Sequence, residues 1–356
     1  MKIGLVRRGF SASGGAEAYL LRFADAAVAA GHEMILFSGA DWPTDSWRHE
    51  FVRVSNGESP LDFANALQSL SPKDQCDVLF SLERVWECDV YRAGDGVHAS
   101  WLERRQAFET SYKSWFRGLQ SKHREILKLE RVLFEGGAKQ IIANSQMVKD
   151  EIVRYYDTLA HRIHVVHNGL PPANHNATRP NETREQCGLN EDDYAVLFVG
   201  SGWERKGLND AIEAVNALPA PATLLVVGKG KGNKLTTSQH THLLGTKTSA
   251  QLKELLATAD AFILPTYYEP FSNACLEALA AGVPVITTTA NGFAEIIEPG
   301  IDGEIVSPGD VAALSAALEK WRGRLRDGTL RTRLKAKGAL HTIEQNFART
   351  LEVLLK

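Results

Sequence analysis

Short apolar runs recur along the chain at the spacing of an alternating strand and helix. The first apolar run is Ile3-Gly-Leu-Val6, followed by a glycine turn at Gly14-Gly15, an Ala-rich stretch from Ala16 to Ala30, a stop at Gly31-His32, and a second apolar run at Glu33-Met-Ile-Leu-Phe37. That order predicts a parallel sheet with helices on its faces. Val78-Leu-Phe80, Gln140-Ile-Ile-Ala143 and Ile163-His-Val-Val166 read as later strands of the same sheet. Between Leu170 and Asn190 the chain turns rich in Pro, Asn and Thr, the composition of a linker. The rhythm then restarts, with strands predicted at Ala195 to Val199, Thr223 to Val227, Ala261 to Leu264 and Val283 to Thr287. Near the end, Leu340, Ile343, Phe347, Leu351 and Leu354 fall at steps of three or four, so one stripe of a helix is apolar and needs cover. The pattern predicts an α/β chain of two parallel-sheet domains, residues 1–169 and 170–338, with a terminal helix in 339–356 packing back on the first domain.

Composition fits two ordinary cores, since the 356 residues are 44% hydrophobic and 23% charged. A formal charge of -3 gives no general reason to expect nucleic acid as a partner. Cys76, Cys88, Cys187 and Cys275 are scattered, without a paired spacing or nearby histidines, so neither a disulfide framework nor a metal site is predicted. Met1 leads directly into a strand, and no apolar run reaches the roughly 20 residues of a membrane span. A cytoplasmic protein is expected.

Candidate chemistry concentrates in the second half. In Pro265-Thr-Tyr-Tyr-Glu269-Pro-Phe-Ser-Asn-Ala-Cys-Leu-Glu277-Ala-Leu-Ala-Ala-Gly282, a strand ends at Pro265, a loop carries Glu269, Ser272 or Asn273 can cap a helix, and Gly282 ends it. Such a loop faces the carboxyl edge of the sheet, where open α/β sheets take ligands and a helix start favours phosphate. Glu277 is the only charge in its helix, which is predicted to pack tightly. A buried carboxylate needs donors, and either sugar hydroxyls or an internal Arg or Lys would serve.

The adjacent cations Arg205 and Lys206 follow the flexible turn Gly200-Ser-Gly202. A planar fork beside a point charge suits a departing diphosphate, although a solvated pair on a surface loop has the same sequence. Gly14-Gly15 would let backbone approach a ligand. The tract Gly228-Lys-Gly230-Lys-Gly232 resembles a dinucleotide fingerprint but lacks the acidic residue after a following strand, and reads as a turn.

Together these stretches resemble the retaining glycosyltransferases of family 4, which have the GT-B fold. Glu269 and Glu277 match the family's E-x7-E motif, Arg205 and Lys206 its R-K pair, and Gly14-Gly15 its glycine loop. The resemblance implies two Rossmann-like doubly wound domains with a cleft between them. It also implies that Arg205 and Lys206 hold a donor diphosphate, Glu269 contacts the transferred sugar, and Glu277 binds ribose. Phe271, Ser272 and Asn273 would offer backbone N–H groups. This chain has Glu269-Pro-Phe-Ser where many relatives have E-G-F-G.

The stretch Asp89 to Trp101 resembles the equivalent part of bacterial lipopolysaccharide core glucosyltransferases, which implies that Asp95 faces the reacting sugar, with His98 as the competing candidate. The expected reaction is transfer of a sugar, by preference glucose from UDP-glucose, to a lipid-linked saccharide, with retention and with neither metal nor cofactor. A nucleotide-sugar epimerase of the same architecture and a non-catalytic sugar- or lipid-binding protein are the alternatives.

Between Trp101 and Arg131 the chain carries eight Lys or Arg against four Glu, interleaved with aromatics. Basic amphipathic helices of this kind bind anionic lipid surfaces. Trp101, Arg104, Arg105, Lys113, Trp115 and Arg117 are the candidate membrane contacts, and the bland alternative is a solvated helix face. A peripheral position on the inner face of the plasma membrane is the expectation that goes with a lipid-linked acceptor.

Overall fold

The computed structural model describes residues 1–10, 15–39, 42–43, 45–55, 59–106, 121–172, 180–190, 192–219, 222–230, 235–236, 238–326 and 328–356. Gly14, Lys113, Trp115 and Arg117 lie outside the described residues. The chain divides into two compact units, one comprising Met1–His167 and Glu344–Lys356 and the other Asn168–Ile343.

The first unit holds strands β1 (Lys2–Arg7), β2 (Glu33–Ser38), β3 (Glu50–Arg53), β4 (Val78–Ser81), β5 (Cys88–Ala93), β6 (Ala138–Ala143) and β7 (Ile163–Val165). They form a seven-stranded sheet in the order β3-β2-β1-β4-β5-β6-β7, and every pairing is parallel. The second unit holds β8 (Tyr194–Val199), β9 (Ala222–Val227), β10 (Thr241–Gly245), β11 (Ala261–Leu264), β12 (Val285–Thr288) and β13 (Gly303–Val306). Their order is β10-β9-β8-β11-β12-β13, again all parallel. Each unit is a doubly wound, Rossmann-like α/β fold.

Central strands are buried on both faces, as parallel strands covered by helices must be. Leu5, Phe37, Phe80, Val196, Phe198 and Phe262 are fully enclosed. At the margins the burden falls away: β3 is mostly exposed and β10 carries a half-exposed Leu243. These two edge strands escaped the apolar-run reading for that reason.

Two sequence expectations change. The Pro-rich stretch read as a linker contains a helix at Pro180–Gln186, where Pro at the first position suits a helix start. Arg184 of that helix donates from Nη1 to Thr258 O at 2.8 Å, tying it to the second unit. Leu340 does not belong to the terminal apolar stripe; the helix begins later, at Ile343–Leu354, and leaves Leu340 exposed. Within the helix, Phe347 packs edge-on against Tyr19 and Phe23 at 5.5 and 5.8 Å. Asn346 Nδ2 donates to His167 O at 2.6 Å.

Candidate active site

In the six-stranded sheet the order turns back between β8 and β11, so the loops leaving their carboxyl ends part to either side of a crevice. Open α/β sheets bind ligands at such a point. The β8 loop carries Arg205 and Lys206, and the β11 loop carries Glu269. Glycines let the two loops meet. Gly207 has φ of 70°, in the left-handed region, and a Cβ there would stand 2.1 Å from Pro265 O. Gly200 leaves room for the Lys206 stem, since a Cβ would lie 2.3 Å from Lys206 Cδ. Of the tract that begins at Gly228, residues 228–230 back this loop, and Lys231 and Gly232 lie outside the described residues. Gly228 lies against Gly200 O and Gly230 against the Trp203 ring.

The charged groups converge on one oxygen. Glu269 Oε2 accepts from Lys206 Nζ at 2.8 Å and from Arg205 Nη1 at 3.1 Å, and Arg205 Nη1 also donates to Tyr268 O at 2.6 Å. The side chains of Lys206 and Glu269 are each 13% exposed. Lys206 is therefore not a solvated surface cation, and Arg205, 32% exposed, shares its carboxylate partner. The main chain is stitched as well: Arg205 O accepts from Tyr267 N–H at 2.9 Å and from Thr266 Oγ1 at 3.0 Å.

Glu269 is held by its backbone on both sides, donating to Ala290 O at 2.9 Å and accepting from Gly292 N–H at 2.8 Å. Between those partners lies Asn291, fully buried, which donates to Thr287 Oγ1 at 2.9 Å and accepts from Phe293 N–H at 3.1 Å. Asn291 therefore fixes the segment against which Glu269 is set. Nothing in the local sequence marked it.

The helix Asn273–Ala280 starts at Ser272, whose hydroxyl accepts from Cys275 N–H at 3.2 Å. The first-turn N–H groups of Asn273 and Ala274 have no intrahelical acceptor, and Asn273 Oδ1 accepts from Asn168 Nδ2 at 2.8 Å. At the far end Gly282, φ 82°, allows Val283 N–H to reach back to Ala278 O at 2.9 Å. Phe271 is buried edge-on against Phe293 at 5.6 Å. Glu277 is half-buried, not enclosed as the apolar helix predicted. Burial pushes the Cys275 thiol up to about 12, which keeps it protonated and unreactive.

In the first unit the strand order reverses between β1 and β4. Arg7, at the end of β1, donates to Glu83 Oε1 at 2.8 Å and to Glu17 Oε1 at 3.0 Å. Burial pushes the Glu83 carboxyl up against the pull of Arg7. Gly15 opens the helix Gly15–Ala29 with no heavy atom within 4 Å of a Cβ position. After β5, Asp95 projects into solvent, its side chain 79% exposed and 4.0 Å from Arg84 Nη1.

His98 begins the helix His98–Arg105, whose cap residue Val97 has no side chain able to cap it. Glu130 takes that place from another helix. Its carboxylate accepts from His98 N–H at 2.8 Å, Ala99 N–H at 3.2 Å, Arg84 Nε at 2.9 Å and Tyr156 OH at 2.6 Å. Burial opposes the Arg84 charge, yet Tyr91, Glu130 and Asp95 hold its pKa above the ordinary value.

The His98 ring lies 3.0 Å from His123 across Nε2 and Nδ1. Burial and the Arg84 charge lower its pKa to about 4, against the pull of Glu130. The unfolded chain binds that proton near pH 6.5. Between about 6.5 and 4 the unfolded state therefore holds one more proton, and stability falls as pH drops through this window. Allowing for partial exposure, the loss is on the order of 1–2 kcal/mol. Thermal unfolding of His98→Gln at pH 7 and pH 5 should show a smaller fall than the parent; equal falls would remove His98 as the cause.

Among the candidate membrane contacts, Arg104 donates to the buried Glu151 at 2.9 Å and to Ser100 Oγ at 3.3 Å, so its charge is used internally. Arg105 lies over the Trp101 ring at 5.4 Å. Further on, Lys128 covers Trp86 at 5.3 Å. No helix among the described residues is long and apolar enough to cross a membrane.

The family model described as Glycosyltransferase Family 4 matches residues 13–174, and that described as Glycosyl transferases group 1 matches residues 180–341. The lipopolysaccharide glucosyltransferase WaaG of Escherichia coli K12 is 26% identical over 317 residues, covering 83% of this chain and 82% of its own. The crystal structure of WaaG superimposes with a TM-score of 0.77 at 22% identity, over 99% of both chains. HepE of Anabaena, solved in complex with UDP-glucose, gives 0.72 at 18% identity, also over 99% of both. Two matched regions that divide nearly the whole chain between them, each carrying a parallel sheet of the GT-B kind, make the protein a glycosyltransferase of family 4.

Proposed function

We propose that the protein transfers a hexosyl group, glucose from UDP-glucose by preference, to a lipid-linked saccharide of the lipopolysaccharide core type, with retention and without a divalent metal. One observation carries the reading: Arg205 and Lys206 converge with Glu269 at the switch point of the second sheet, next to a helix start. Two fixed cations there can neutralise a leaving diphosphate, the task a metal performs in other transferases. The 26% identity to WaaG supports the acceptor class, and the UDP-glucose complex of HepE supports the donor.

In this mechanism the acceptor hydroxyl attacks the anomeric carbon on the face from which the diphosphate departs. The carbon–phosphate-oxygen bond breaks, the new glycosidic bond forms, and the leaving phosphate takes the acceptor's proton. No protein nucleophile is needed. Glu269 holds hydroxyls of the transferred sugar, Glu277 the ribose, and the N–H groups from Phe271 to Asn273 the phosphates. Asp95, exposed after β5, is the first-unit candidate to face the reacting sugar. A neutral His98 makes the other, as a hydrogen-bonding group without charge.

Anionic lipid contact on the cytoplasmic face completes the proposal, resting on Trp101, Arg105 and the composition of the basic segment; Arg104 is withdrawn from it by its bond to Glu151. A UDP-release screen of nucleotide sugars against core-type acceptors is the test. Release should require both a UDP-sugar and an acceptor and should survive EDTA. Turnover without acceptor would point to epimerisation, and loss with chelator restored by Mg²⁺ would contradict the metal-free part.

A further inference from the structure

Glu269 already occupies the seat that the proposed function gives to a diphosphate. One carboxylate oxygen takes both Lys206 Nζ, at 2.8 Å, and Arg205 Nη1, at 3.1 Å. The backbone of Glu269 is fixed by Ala290 O and Gly292 N–H, so the carboxylate is carried on a rigid mount. With Lys206 and Glu269 each 13% exposed, water screens the site poorly. A diphosphate drawn to the same two cations meets a resident anion and has to displace it or share with it. Like charges crowded into such a site repel strongly.

The cost differs between donor and spent nucleotide. A nucleotide sugar brings hydroxyl donors, which can satisfy the carboxylate once the phosphates have taken its cations. A nucleoside diphosphate lacks the transferred sugar's hydroxyls, and its ribose hydroxyls go to Glu277 in the reading above, so Glu269 is left to compete for the cations the phosphates hold. Resting on the donor-site reading above, we propose that Glu269 is the internal counter-ion of Arg205 and Lys206. The nucleotide sugar displaces it, and it returns to expel the spent nucleoside diphosphate. Glu269 thereby discriminates between the intact donor and its product, beyond any contact with the sugar.

Calorimetric titration of UDP into the whole protein and three variants tests this. Glu269→Gln keeps the side-chain size and both backbone bonds, and removes the charge. Glu269→Ala removes the carboxylate without leaving an amide that could itself bind phosphate. Both should tighten UDP binding by roughly tenfold, the scale of one hydrogen bond to a charged group, and product inhibition by UDP should strengthen in parallel. Lys206→Ala should weaken UDP binding. UDP affinity unchanged or weaker in both Glu269 variants, while Lys206→Ala still loses UDP, overturns the counter-ion role and leaves the donor site standing. UDP affinity unchanged in Lys206→Ala overturns the donor site and the counter-ion with it.

Discussion

Lys206→Ala is expected to lower kcat by on the order of 10²-fold or more, as removal of one group stabilising transition-state charge does elsewhere. The lysine is nearly enclosed, its stem lies over Gly200, and its ammonium sits 2.8 Å from Glu269. Arg205 remains, and it is already shared between Glu269 and Tyr268 O. Lys206→Met separates charge from packing, because it keeps most of the stem. The two variants should lose turnover alike and keep the parent's melting temperature within a few degrees. Turnover at the parent rate in either would remove Lys206 from the chemistry.

Glu130→Ala should produce the largest loss of stability. Its carboxylate is fully buried and accepts four hydrogen bonds, from Arg84, Tyr156 and the first two N–H groups of the helix His98–Arg105. Removing it leaves a largely buried guanidinium with only the exposed Asp95, 4.0 Å away, as counter-charge, and a helix start without a cap. Loss of one member of a buried pair costs about 3–5 kcal/mol. For a unit of this size the melting temperature should fall by roughly 10 °C. Arg84→Met in the same background should recover part of the loss, since the unpaired charge goes with it. A single variant melting within about 2 °C of the parent, well inside the effect expected for a buried pair, would show that the network contributes little.

The interior strands were legible because a parallel strand enclosed on both faces has to be apolar throughout, as at Val196–Phe198 and Phe262–Leu264. Polarity hid the others. β3 and β10 are edges with one side in water, and β5 carries Asp89 and Arg92 within its length. The helix Pro180–Gln186 was hidden by a composition that serves loops and helix starts alike.

Arg205, Lys206 and Glu269 could be picked out because each lies in a short loop directly after a strand, and local order suffices to find such residues. Their pairing could not be read, since it depends on which strands are neighbours in the sheet. Arg84 and Glu130 stand 46 positions apart, and no periodicity links them. The same holds for Arg7 with Glu83 and for Asn291 behind Glu269. Buried charge networks are set by three-dimensional proximity, and residue type alone gives no partner.

The first unit is discontinuous, taking Glu344–Lys356 from beyond the second. Tyr19 and Phe23 receive their cover from Phe347, and Tyr19 OH lies 3.4 Å from Thr350 Oγ1. On the ribosome, residues 168–343 emerge as one uninterrupted stretch and can complete their own sheet. The portion made earlier must wait, with one side of Tyr19 and Phe23 uncovered, until the helix Ile343–Leu354 leaves the exit tunnel. Order of synthesis and order of completion are thus reversed. A chain ended near residue 343 and released from the ribosome would carry a complete second unit and a sticky first one, the kind of species that chaperones retain.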